Sequence, residues 1–87
     1  EILTQVKIKP YYRYRQIRGF RVENIPAESF LRTVGLRDGD VVTKVNGEVI
    51  DSFSKAIQVG RKMQNKNYVK VIVIRNGQEI TLVYNLK

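Results

Sequence analysis

The side chains of this 87-residue chain that could carry chemistry are eight carboxylates, a few hydroxyls and sixteen lysines and arginines; histidine and cysteine are absent. Without histidine the commonest general base and metal ligand is missing. Without cysteine there is no thiol nucleophile, disulfide or thiolate metal site. The carboxylates are Glu1, Glu23, Glu28, Asp38, Asp40, Glu48, Asp51 and Glu79. Asp38 and Asp40 flank a glycine in a turn, and Asp51 stands where a helix starts, so turn and capping roles account for all three. A hard cation needs several converging oxygens, which this spacing does not supply. Ser29, Ser52 and Ser54 have no base beside them, and no lysine spacing singles out a Ser/Lys dyad. Glycine-rich phosphate loops are also missing, since Gly39 and Gly47 belong to turns. The expectation is binding rather than catalysis, with no metal and no cofactor.

The cations outnumber the acids by sixteen to eight, a net charge of +8. Such a field attracts acidic partners, whether nucleic acid, anionic lipid or an acidic protein face. Lys7, Lys9, Arg13, Arg15, Arg18 and Arg21 fall in one stretch without an acid. Tyr11, Tyr12 and Tyr14 are interleaved with it, a combination that can stack bases while arginines hold phosphates. The plainer reading is an edge strand, where charges discourage aggregation and tyrosines pack. An anionic membrane surface is a third use of the same patch.

The elements that must position these groups follow from periodicity and turn chemistry. Thr4–Lys9 alternates polar and apolar residues (Val6, Ile8) as a half-buried strand does, and Pro10 is expected to end it. Tyr11–Arg18 has no clear periodicity. Residues 19–22 read as a second strand, closed by Ile25-Pro26. Ala27–Val34 has a helical pattern with Phe30, Leu31 and Val34 on one face and Gly35 as its C-terminal cap. Asp38-Gly39 is a turn, Val41–Val45 a buried strand, and Asn46-Gly47 a tight hairpin leading to a short return strand, Glu48–Ile50. Asp51 or Ser52 caps a helix from Phe53 to Gln64. That helix has two apolar rows: Ala56, Val59 and Met63, and Phe53, Ile57 and Gly60. The rows form either one broad core stripe or a core face beside a binding face. Val69–Arg75 and Glu79–Asn85 are strands joined through Asn76-Gly77-Gln78. The order of six strands and two helices predicts one α+β domain over residues 1–87, a small open antiparallel barrel or sandwich capped by one short and one long helix. No apolar run is long enough to span a bilayer. The chain opens Glu1-Ile2-Leu3, without Met or a leader, and is expected to be part of a longer protein.

Three blocks at this spacing resemble a PDZ domain of the bacterial type: Ile17-Arg18-Gly19-Phe20; Gly35-Leu36-Arg37-Asp38-Gly39-Asp40-Val41-Val42 continuing to Val45-Asn46-Gly47; and the Phe53–Met63 helix with a later Arg75-Asn76-Gly77-Gln78. Together they cover residues 17–87, with Thr4–Lys9 as the first strand and residues 1–16 as first strand and basic arm. The resemblance implies a peptide added as an extra strand in a groove closed by the long helix. The contact residues it implies are Arg18, Gly19, Phe20, Arg21 and Val22 on one side and Phe53, Ile57, Gly60 and Arg61 on the other. Amides around Gly19 and Phe20 would face a terminal carboxylate. Arg18 stands where the family's loop has a hydrophobic residue, which favours an internal or folded partner segment over a free chain end. Residues 18–22 and 75–78 are most similar to the PDZ domain of the C subunit of the type II (general) secretion system. That likeness implies a parent anchored in the inner membrane, this domain in the periplasm, and no nucleic acid. Its partners would lie among secretin periplasmic domains, exoproteins and pseudopilus or platform subunits. The alternative is the substrate-sensing PDZ domain of a periplasmic serine protease or an intramembrane metalloprotease.

Overall fold

The computed structural model describes residues 6–63 and 65–85. Its elements are β1 (Lys7–Arg13), β2 (Gln16–Glu23), α1 (Phe30–Val34), β3 (Val41–Val45), β4 (Glu48–Val49), α2 (Phe53–Met63), β5 (Tyr68–Arg75) and β6 (Gln78–Asn85). The order is the expected one, and all strand pairings are antiparallel. The main path of the sheet runs β1-β2-β3-β5-β6, with β4 on β3. Alternate residues of the strands, among them Phe20, Val22, Val42, Val69, Val71 and Val73, enter one core with Leu31, Leu36, Val59 and Met63 from the helices and their flanks. Thr4, Gln5 and Gln64, which the sequence assigned to the first strand and the long helix, lie outside the described residues.

All three tight hairpins turn through two residues with positive φ. At Asn46-Gly47 (φ 49° and 84°) and Asn76-Gly77 (φ 53° and 78°) the residue types are those such a turn selects. The third turn was not evident from the sequence: β1 and β2 are joined by Tyr14-Arg15, at φ 52° and 66°. Left-handed backbone costs an L-residue with a long side chain about 1–2 kcal/mol.

Pro10 does not end the first strand, as the sequence had suggested; it lies inside β1, opposite Phe20. At a sheet edge, a residue whose nitrogen faces away from the neighbouring strand has no ladder bond to lose. The short helix is one turn shorter than its pattern implied. Ser29 stops it at the N-terminus, its Oγ accepting from the Leu31 N–H at 3.1 Å. Gly35, at φ 113°, closes the other end: its N–H reaches the Arg32 carbonyl, and the Leu36 N–H reaches that of Leu31, both at 3.0 Å. This is a Schellman closure, with Leu36 buried as the motif requires. At α2 it is Ser52, not Asp51, that caps, accepting from the Lys55 N–H at 3.1 Å.

Asp40 is buried, with 1% of its surface exposed. It accepts from the Arg75 Nε at 2.8 Å and Nη2 at 2.7 Å, and from the Arg37 N–H at 3.0 Å. The same Arg75 Nη2 donates to the Gly35 carbonyl at 2.9 Å. A bidentate, charge-assisted pair thus ties the turn before β3 to the end of β5. The hydrogen bond to Asp40 holds the Arg75 guanidinium above its ordinary value, against the opposing effect of burial.

Candidate functional site

β1 is an edge of the sheet, and the register settles which of its backbone groups are free. The Val22 N–H donates to the Asp40 carbonyl at 2.9 Å, and the Val22 carbonyl accepts from the Gly39 N–H at 2.8 Å. Both polar groups of Val22 therefore point towards β3. Ile8 stands opposite Val22. In an antiparallel ladder opposed residues either exchange both bonds or neither, so the N–H and carbonyl of Ile8 point away from β2. By the same alternation the nitrogen of Pro10 lies on the free side, which is why proline is tolerated there.

The side chain of Ile8 turns into an apolar groove of about 170 Å³ that lies between β1 and α2. Val6 and Ile8 line it on the strand side, and Ala56, Ile57, Gly60 and Arg61 on the helix side; Phe20, Val22, Leu36 and Val71 are among the residues of its floor. Both rows of α2 reach this groove: Val59 and Met63 are buried at its base, and Ala56, Ile57 and Gly60 are half-buried along its wall. Phe53 is 57% exposed and meets Phe20 edge to face at 6.1 Å. A half-covered apolar wall beside an unpaired strand edge is what an added strand needs: ladder partners on one side and pockets for alternate side chains on the other.

The strand assigned to the groove has to be corrected. β2 is laddered to β1 along one side and to β3 along the other at Phe20 and Arg21, so no peptide can be added to it there. The amides of Gly19 and Phe20 lie within those ladders and cannot cradle a carboxylate. Arg18 is the extra residue of a bulge, between the Ile17 and Gly19 that pair with Tyr12 and Tyr11. Gly19 packs so closely on β3 that a Cβ would lie 2.5 Å from the Val42 carbonyl oxygen. Arg21 lies on the other face of the sheet, its Nη1 donating to the Gly39 carbonyl at 3.1 Å. Of the residues expected at the site, the structure gathers Phe20, Val22, Ile57, Gly60 and Arg61 around one groove, with Phe53 against Phe20. It leaves Arg18, Gly19 and Arg21 elsewhere. Val6 and Ile8 were overlooked; an alternating strand interrupted by proline was the available sign that this strand is an edge.

A second concavity, of about 460 Å³, is polar and lies on the opposite face by Tyr11, Arg21, Arg37 and Arg75. Two of its arginines are engaged, Arg75 by Asp40 and Arg21 by the Gly39 carbonyl. Among the described residues no three His, Cys, Asp or Glu side chains converge as a metal site would require, and no helix is long and apolar enough to cross a membrane.

The family model described as PDZ domain matches residues 5–86. No curated protein matches the chain. Among solved structures, the chain is similar to the PDZ domain of EpsC from Vibrio cholerae, with 22% identity and a TM-score of 0.63, covering 98% of each chain. It is also similar to the PDZ domain of the pullulanase C protein of the type II secretion system from Klebsiella pneumoniae, solved in complex with fatty acid. There the identity is 25% and the TM-score 0.64, over 98% of this chain and 88% of that one. The HtrA3 PDZ domain bound to a phage-derived ligand, FGRWV, shares the fold at 16% identity and a TM-score of 0.67, over 93% of this chain and 80% of that one.

Proposed function

The chain belongs to the PDZ family of protein-interaction modules, and from that premise we propose that it binds an extended segment of a partner protein along the free edge of β1. The partner's apolar side chains would enter the groove under α2. The observation that carries this reading is the conjunction of an Ile8 backbone unpaired among the described residues with the apolar wall that includes Ile57 and Gly60. The reading is non-catalytic: Ser29 and Ser52 spend their hydroxyls on helix caps, and the buried Asp40 is committed to Arg75.

The likeness to the pullulanase C domain supports a role in a type II secretion apparatus. The parent would then be an inner-membrane C subunit with this domain in the periplasm, contacting the secretin, exoproteins or pseudopilus and platform subunits. A pull-down with periplasmic secretin domains and exoproteins tests this. Contacts should be lost in Ile57→Arg, which puts a charge into the groove, while the domain stays folded. Contacts indifferent to Ile57 would refute it. A second reading follows from the groove's lining: an alkyl chain would lie along the apolar wall with its carboxylate near Arg61, and the pullulanase C domain was solved in complex with fatty acid. The protease-associated alternative shares only the fold seen in HtrA3, and a protease segment in the parent sequence would decide for it.

A further inference from the structure

Beyond Gly19 the β1–β2 hairpin leaves the sheet. β2 pairs with β3 only at Phe20 and Arg21, and at Lys44 and Val45 both edges of β3 are already taken, by β4 and β5. Residues 12–18 therefore ladder only with each other. Ile17 turns back to the core, while Tyr12, Arg13, Tyr14, Arg15 and Arg18 are exposed, Tyr14 to 81%. The Arg13 guanidinium lies over the Tyr14 ring at 6.0 Å. Residues 2–22 contain no acid, and among the described residues Arg13, Arg15 and Arg18 take part in none of the ion pairs.

The tip adds an independent observation. Twice this chain turns a hairpin with Asn-Gly, the pair that accepts positive φ at little cost; here it places Tyr14 and Arg15 in that conformation. Strain kept where the same chain has the means to avoid it points to a use for the side chains.

We infer that this hairpin is a second recognition element, separate from the β1–α2 groove, and that its tyrosines and arginines dock onto an acidic stretch of a protein partner. Tyrosine and arginine are the residue types that dominate protein–protein hot spots, because planar groups bury much area for few frozen torsions. A bilayer is met by a broad cationic face, and a nucleic-acid strand by a positive groove that tracks its backbone beside the stacking aromatics. The cations here are concentrated on a finger only two strands wide, about 5 Å between backbones.

The test titrates the domain with a polyglutamate peptide, with phosphatidylserine-containing vesicles and with oligothymidine. The variant Tyr14→Asn/Arg15→Gly replaces the tip with the turn the chain already uses elsewhere, and Lys66→Ser removes the same single charge from an exposed loop. Polyglutamate binding should weaken roughly fivefold or more in the tip variant, as expected of a hot-spot pair, and less than about twofold in Lys66→Ser. Ile57→Arg should leave it intact. Equal losses in the tip variant and Lys66→Ser would reduce the effect to net charge and overturn the inference. So would tip dependence seen with vesicles or oligothymidine instead, or no binding to any of the three.

Discussion

Blocking a single backbone nitrogen separates the free edge of β1 from its laddered side. The register places the Ile8 N–H on the free edge and the neighbouring Lys9 N–H in the ladder with Arg21. N-methylation of Ile8 removes a donor that has no partner among the described residues, keeps the side chain, and suits an extended backbone. Folding stability should change by less than about 0.5 kcal/mol, as for a surface change that breaks nothing. A bound strand, by contrast, loses its bond to that nitrogen. The methyl also keeps the partner backbone beyond the 2.7–3.2 Å that a ladder bond needs, so the adjoining bond to the Ile8 carbonyl is weakened too. Two net hydrogen bonds at about 1 kcal/mol each predict a complex roughly 30-fold weaker. N-methylation of Lys9 should do the reverse, breaking the hairpin ladder and lowering stability by about 1–3 kcal/mol. The assay is urea denaturation of both synthetic domains, followed by titration with a peptide selected from a phage library against the unmodified domain. Two results would refute the reasoning: methyl-Ile8 as destabilised as methyl-Lys9, which would reverse the register, or methyl-Ile8 binding as tightly as the parent, which would remove β1 from the site.

Arg75→Met leaves the buried Asp40 carboxylate without its counterion and should cost about 3–5 kcal/mol in urea denaturation; a loss below about 1 kcal/mol would mean that the pair is solvated. Because the hydrogen bond to Asp40 raises Arg75 above its ordinary value, the pair's stability is present while both groups are charged and on the alkaline side is lost only as pH climbs through the raised value, so an alkaline titration up to that range should show no step from Arg75. Gly19→Ala drives a methyl against the Val42 carbonyl and should cost about 1–3 kcal/mol as overpacking, read as a lower Tm. Tyr14→Asn/Arg15→Gly should raise stability by about 2 kcal/mol by relieving left-handed strain at two positions; a fall in Tm would show that the tip is not strained.

The sequence made legible those features that depend on neighbours along the chain. Gly35, Asn46-Gly47 and Asn76-Gly77 announce backbone with positive φ by residue type alone, and the burial of Val59 and Met63 follows from the helical spacing of α2. The features it concealed depend on which strand lies beside which. Asp40 looked like a turn residue because its partner, Arg75, is 35 positions away. Tyr14-Arg15 looked unlike a turn because propensity disfavours it, and only the pairing of Arg13 with Gln16 makes it one. Pro10 and Gly19-Phe20 misled in complementary ways. Proline is a strand breaker only where its nitrogen is needed, and a glycine-aromatic pair resembles a carboxylate loop only while its amides are unclaimed. One topological fact decides both: β2 lies between β1 and β3, so the open edge is passed outward to β1. The strand that the sequence reading set against the long helix was therefore one hairpin turn too late in the chain. A sequence in which alternating apolar residues run up to a proline, shortly before a glycine-aromatic strand, should accordingly be searched for its binding edge in the earlier strand, where the missing N–H is harmless.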